Sequence, residues 1–327
     1  MENIPELIGW ALSNAKRLKL KATRLTGIDE WLPGYFDYHI RLEFNGCEVF
    51  GRGTDKDEAR AFLKSISEAI ERISCHDLAY PWATATHSDT SQAARSAYRE
   101  LLGMDRALCH HFTGAKIRPL EAKILEPDIR TGALKKCCDS YGIALRLFEM
   151  RPAADSFIAA AFGWPERSGV PPGLLSGYGC AGTLAEAARQ AAIECIRKIG
   201  PIFVEKIKPE EGMAELEKKG GPWWHIWKMS QESAGLNYLK TTLIPSNTDD
   251  VRFTAENIAE TDMHFREITK LKEHFPDIPC VVMQAYSDRL LMPQFGKPAA
   301  NEAMMLRLKV FNGENTGVEL SIPHMYG

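Results

Sequence analysis

Between residues 54 and 73 apolar side chains recur at helical spacing, with Phe62, Ile66, Ala69, Ile70 and Ile73 on one face and Lys64, Glu68 and Glu71 on the other. Thr54 is placed to cap the start, with Asp57 three residues on to reach back, so the pattern predicts a helix ending Glu-Ala-Ile-Glu-Arg72. Just upstream the period changes to two. Residues 36–40, 41–44 and 47–50 read as strand segments, and Asn45-Gly46 between the last two is a hairpin signal. The hairpin thus delivers the chain to a glycine turn, Gly51-Arg52-Gly53, ahead of the helix.

Other segments follow the same two periods. Residues 1–25 read as a helix, 84–90 as a polar loop, and 92–102 as a second helix capped by Ser88, Asp89 or Thr90. Residues 134–141 are helix-like, 144–148 and 156–162 are strands, and Ala159-Ala160-Ala161 suits a buried sheet. A helix over 184–199 starts from a capping box of Thr183 and Glu186, and 202–205 reads as a strand. The cluster Trp223, Trp224, His225 and Trp227 predicts either a helix packing its rings inward or the wall of a peptide groove. A helix over 255–275 and a strand over 279–284 complete the reading, and the alternation indicates an α/β or α+β architecture.

Composition narrows the class. With 327 residues, 45% hydrophobic and 25% charged, the chain can bury a full core as one large domain or two small ones. A net charge of -3 argues against general nucleic-acid binding. Lys16, Arg17, Lys19, Lys21 and Arg24 form a local basic run, read as a solvated helix face or as a contact for a polyanion or leader peptide. No stretch approaches 18 apolar residues and the first residues lack a secretory pattern, so no membrane span and a cytoplasmic location are expected. The eight cysteines are scattered without a C-x-x-C, which fits reduced thiols. Cys109-His110-His111 reads as structural, because adjacent helical histidines point in different directions.

Glu68 and Glu71, hard oxygen donors one turn apart, have the chemistry to hold a magnesium ion that bridges nucleotide phosphates, with Arg52 and Arg72 adding positive charge. Acidic residues opposite an apolar stripe are also what any amphipathic surface helix shows, and spacing alone does not separate the two. Taken together, G-(K/R)-G, a short acidic gap, an alanine-rich helix and E-A-I-E-R resemble the first motif of the YcaO family. Residues 88–105, followed by Leu108-Cys-His-His-Phe112, resemble its second motif through Ala93, Ala97, Glu100 and Asp105. There Ser88 replaces the family's Asn, Gln92 its first Glu, Gly103 its last Glu and Met104 its Arg. Gly177 and Gly179 ahead of a helix carrying Ala187, Ala191 and Glu194 resemble the third conserved segment.

The resemblance covers roughly residues 36–200, with 201–327 divergent, and implies a YcaO-like single domain over 1–327, a mixed sheet packed with helices. It implies ATP and magnesium as cofactors, Glu68, Glu71 and Glu100 as metal ligands, Arg52 and Arg72 as phosphate contacts and Gln92 as a nucleotide contact. The implied activity is ATP-dependent activation of a peptide backbone amide, leading to azolines, thioamides or amidines, with no nucleophilic triad. Its implied partners are a peptide or protein substrate, a protein for substrate delivery or sulfur transfer, and a second copy in a homodimer. The tail keeps one proline, Pro323, where azoline-forming relatives are proline-rich.

Two other classes stay open. The replacements at Gly103 and Met104 fit a scaffold or recognition subunit that has lost turnover. Gly177, Gly179 and Gly182 also spell G-x-G-x-x-G, as in a nicotinamide-dependent oxidoreductase, although residues 171–176 are short and broken by prolines for the strand that site requires.

Overall fold

The computed structural model describes residues 4–78, 83–125, 140–153, 155–167, 170–206, 222–247, 251–258, 262–293, 300–313, 317–322 and 324. In chain order its elements are α1 (Ile4–Ser13), β1 (Lys21–Arg24), β2 (Phe36–Phe44), β3 (Cys47–Asp55), α2 (Glu58–Cys75), β4 (Thr84–His87) and α3 (Thr90–Thr113). Then come β5 (Arg118–Leu120), β6 (Ile143–Ala153), β7 (Ser156–Pro165), β8 (Leu175–Ala181), α4 (Leu184–Ile199), α5 (Pro222–Gln231) and α6 (Ala234–Tyr238). Last are β9 (His264–Glu267), α7 (Lys270–His274), β10 (Val281–Tyr286) and α8 (Glu302–Asn312). The strands form three antiparallel sheets, ordered β1-β2-β3, β4-β10-β9 and β5-β6-β7-β8, so the fold is mixed helix and sheet. Among the described residues no helix is long and apolar enough to cross a membrane.

The chain divides into two compact units, residues 1–101 with 263–287, and residues 102–262 with 288–327. In the first, Asn45 and Gly46 both take positive φ, the backbone twist a two-residue hairpin needs, and set β2 against β3 in the register Phe44↔Cys47. Ile66, Ile70 and Ile73 of α2 bury against Ile40 and Leu42 of β2, with Trp10 and Phe275 closing the same core. In the second unit Ala159, Ala160 and Ala161 are fully buried as expected, Ala160 in a core with Phe148, Ile158, Phe162 and Leu239.

Several sequence expectations change here. The first helix stops at Ser13, and the basic run lies in turns and on β1 rather than on a helix face. α2 is capped by Asp57, whose carboxylate accepts the Arg60 N–H at 2.9 Å; Thr54 instead lies in β3, one residue before its end, and donates its hydroxyl to Asp37. Residues 84–87 are a strand because they pair with β10, and residues 264–267 pair with its other side, leaving, among the described residues, only Lys270–His274 α-helical in the stretch expected as one long helix. Pairing with a neighbour overrides local propensity in both places.

Gly200–Val204 continue α4 as a π-turn, with Glu205 as its cap, in place of the strand expected over 202–205. α4 itself starts as expected, with the Thr183 hydroxyl accepting the Glu186 N–H at 3.3 Å. Trp227 and His225 of α5 are buried, which places those rings in the core. The helix expected over 134–141 lies, but for its last two residues, outside the described residues. His110 and His111 are buried and bonded to backbone, His110 Nδ1 to Ala115 O at 3.0 Å and His111 Nε2 to Ile322 O at 2.9 Å, in the structural role expected.

Candidate functional site

α2 lies against β3 at backbone distance. A Cβ added at Gly53 would overlap the Ala61 carbonyl oxygen and the Ser65 amide, and one at Gly51 would sit 2.5 Å from the Ala69 amide nitrogen. Only glycines fit this close approach, and small residues at i, i+4 spacing (Ala61, Ser65, Ala69) face them from the helix. The contact brings Glu68 to the strand. Because β3 is an edge strand, the Arg52 N–H has no neighbouring strand to bond, and Glu68 Oε2 accepts it at 2.6 Å while Oε1 accepts the Arg72 guanidinium at 2.5 Å. One turn on, Glu71 Oε1 accepts the Thr86 N–H at 2.6 Å, an outward amide of β4, itself an edge of the second sheet. Both carboxylates terminate strand edges. They do not face solvent as the helical pattern suggested: Glu68 is 26% exposed and Glu71 is half-buried.

Burial pushes the Glu71 carboxyl well above its ordinary value, the nearby Glu100 charge pushes it further, and the Thr86 N–H offsets part of the rise. Glu100 comes from α3. His39 of β2 stands opposite Arg52, half-buried, with its basicity lowered by burial and then by the charges of Arg52 and Arg72. The sequence reading missed His39; the signal was the alternation that puts it with Asp37 on one face of the strand. The Arg52 guanidinium turns to buried Asp37, with Nε 3.0 Å from Oδ2 and Nη2 2.6 Å from the same oxygen. Gln92 is exposed in the first turn of α3, about 12 Å along the helix from Glu100 at 1.5 Å per residue.

The structure therefore brings Glu71 within electrostatic reach of both Glu100 and Glu68, and Glu68 to Arg72 and the Arg52 backbone. Gln92 stands apart from them along α3, and the Arg52 guanidinium is bonded to Asp37. Among the described residues no three or more His, Cys, Asp or Glu draw together as a preformed metal site. The Glu71–Glu100 pair nevertheless fits a divalent cation, since the Glu100 charge raises the proton affinity of Glu71 and positive charge would relieve it. Glu68 is already compensated by Arg72.

The second unit repeats this construction. Gly177, Gly179, Thr183, Glu194 and Lys198 each stand 126 positions after Gly51, Gly53, Asp57, Glu68 and Arg72. A Cβ at Gly177 would be 2.5 Å from the Cys195 amide nitrogen, as one at Gly51 would be from Ala69. Glu194 Oε2 accepts the Tyr178 N–H of edge strand β8 at 3.1 Å, and Lys198 bonds Glu194 at 3.0 Å. These glycines lie inside a strand antiparallel to β7 and serve helix packing, which corrects the dinucleotide reading: that site needs a parallel strand ending at the first glycine.

The second motif is altered in space as well as in letters. Gly103 and Met104 are buried, and a Cβ at 103 would lie 3.1 Å from two carbons of the Tyr178 ring. Restoring glutamate by Gly103→Glu is expected to cost about 2–3 kcal/mol of stability, because it buries a carboxylate against an aromatic ring. Chemical denaturation measures it; a variant of unchanged stability that binds ATP–Mg more tightly would show that the position is open to ligand. Asp105, the matched acid beside these positions, is fully buried and accepts from the Leu291 N–H at 2.9 Å, from Arg307 Nε at 2.9 Å and Nη2 at 2.6 Å, and from Arg106. Glu256 closes the network on Arg307 Nη1 at 2.7 Å.

No protein-family model and no curated protein matches the chain. Solved structures match its fold. A heterocyclase in complex with substrate and cofactor aligns with TM-score 0.60 and 11% identity over 87% of this chain and 52% of the heterocyclase, so the chain spans about half that protein's length. YcaO from Methanopyrus kandleri, bound with AMPPCP and Mg2+, aligns with TM-score 0.56 and 9% identity over 98% of this chain and 95% of that one. The E. coli microcin synthetase McbBCD complex aligns with TM-score 0.51 and 10% identity over 78% and 85%. The chain has a YcaO-like fold, in line with the motif resemblance.

Proposed function

We propose that this chain binds ATP with magnesium and activates a backbone amide of a peptide or protein substrate, in the manner of YcaO proteins. The observation that supports it most is Glu71, a half-buried carboxyl on α2 that takes an edge amide of β4 and is raised by burial and by the Glu100 charge of α3, a setting that a divalent cation would relieve. A YcaO of the same fold is bound with AMPPCP and Mg2+. Glu71 and Glu100 would hold the ion, Glu68 would keep Arg72 in place, and Arg72, 56% exposed, would contact phosphate. When bound, the metal supplies charge neutralisation for the phosphates. Bound ATP would supply a γ-phosphoryl group to the substrate carbonyl oxygen, with ADP released, so that a nucleophile adding to the amide carbon could displace that oxygen as phosphate, the protons of the nucleophile and of the amide nitrogen passing to solvent. The nucleophile decides between azoline, thioamide and amidine.

The test is melting temperature and calorimetry with AMPPCP, with and without magnesium. Magnesium-dependent stabilisation is expected, about 2.7 kcal/mol at a ligand concentration one hundred times Kd. Identical melting in all conditions would overturn the proposal. A second reading, a scaffold that binds without turnover, is supported by the Tyr178 ring standing where a side chain at 103 would project. Phosphate release with candidate peptides separates the two, and brisk release would exclude the scaffold.

A further inference from the structure

β1 is the outer strand of its sheet, and all four of its residues are exposed. Its pairing with β2 fixes where each peptide group points. Leu25 N–H donates to Asp37 O at 2.8 Å, and Lys21↔Arg41 and Thr23↔His39 continue that register, so the odd positions of β1 bond to β2. Ala22 and Arg24 therefore turn their N–H and C=O groups outward, where no further strand pairs among the described residues. Three other strand edges are treated differently: Glu68 closes an amide of β3, Glu71 one of β4 and Glu194 one of β8.

The open edge is also basic. Lys16, Arg17, Lys19, Lys21 and Arg24 are all exposed. Lys19 pairs with Glu43, Arg24 approaches Glu58 at 4.0 Å and Arg17 donates to His274 O at 2.8 Å, while Lys16 and Lys21 make no ion pair among the described residues. Lys21 and Arg24 are on β1 itself and Lys16, Arg17 and Lys19 are in the turn that leads into it, so five cations against Glu43 and Glu58 leave a positive surplus on the strand and its approach.

We infer that the β1 edge docks an extended, acidic segment of the substrate peptide by strand addition. This rests on the reading of a peptide substrate above and adds where the peptide is held. Main-chain bonds to Ala22 and Arg24 set the register, and Lys16 and Lys21 select carboxylates. Strand spacing of about 4.8 Å puts the docked segment about 14 Å from β3. The edge thus binds a recognition segment, and the amide to be modified belongs to another part of the same peptide.

Fluorescence anisotropy on the full chain tests this with a fluorescein-labelled ten-residue peptide of alternating glutamate and valine, a lysine–valine counterpart and a single-stranded oligonucleotide. Ala22→Pro removes an outward N–H and leaves the β1–β2 bonds in place, so the sheet should survive. The acidic peptide is expected to bind wild type and to bind Ala22→Pro at least tenfold more weakly, at unchanged melting temperature and AMPPCP affinity. The pair Lys16→Glu with Lys21→Glu should also weaken it and reduce its salt dependence, and carries the test if the proline variant melts lower. Equal binding by wild type and variants, no binding of the acidic peptide, or preference for the oligonucleotide would overturn the docking edge. None of these outcomes touches nucleotide binding, whereas absent magnesium-dependent AMPPCP binding strikes the proposed function instead.

Discussion

Glu71→Gln is expected to raise the melting temperature of the ligand-free protein at neutral pH while reducing magnesium-dependent ATP affinity by about two orders of magnitude. The two effects have one cause. The Glu71 carboxyl titrates well above its ordinary value of 4.5, first through burial and then through Glu100. A carboxyl raised in the folded state contributes stability below pH 4.5 that is lost as pH rises through the folded value, so at neutral pH the ionised group opposes folding. Glutamine keeps an oxygen for the Thr86 N–H and removes the charge facing Glu100. A cation ligand is lost in the same step. Melting from pH 4 to 8, with and without AMPPCP and magnesium, reads both effects. A variant that melts lower than wild type at pH 7, or that keeps full nucleotide stabilisation, would make Glu71 a strand-edge residue only. Such a residue would be retained for the bond to β4 and not for a ligand.

The largest stability effect is expected from Asp105→Ala. Burial works against this carboxylate, but hydrogen bonds and charge from Arg307 and Arg106 outweigh it, and its titration falls below the ordinary 3.8. Removing it leaves two buried guanidiniums sharing Glu256, a loss of about 3–5 kcal/mol. A melting temperature lower by about 10 °C is the corresponding shift for a domain of this size. The pH dependence has the opposite sign to that of Glu71: stability from Asp105 is present above 3.8 and lost as pH falls through the folded value. Denaturant unfolding at pH 7 and pH 3 checks it. A cost below 1 kcal/mol would mean that Arg307 and Arg106 are satisfied without Asp105.

By itself the sequence determined the elements whose signals are local. Asn45-Gly46 demanded a hairpin turn, Thr183 and Glu186 marked a helix start, and the apolar period of α2 and the alanines of β7 named their own buried faces. Motif spacing was local too, so the YcaO-like fold was legible through Gly51, Gly53 and the glutamates that follow. What tertiary structure decided was every role that depends on a neighbour distant in sequence. Residues 84–87 and 264–267 became strands only because β10 lies between them. Glu68 and Glu71 share a helix face by periodicity, but which amides they take depends on two different sheets ending beside α2. The Arg52 guanidinium, a phosphate contact by motif, turns to Asp37 because a buried carboxylate needs its counter-charge. Arg307, whose partner is Asp105 across 202 residues, left no local trace at all, since a buried ion pair has no sequence period.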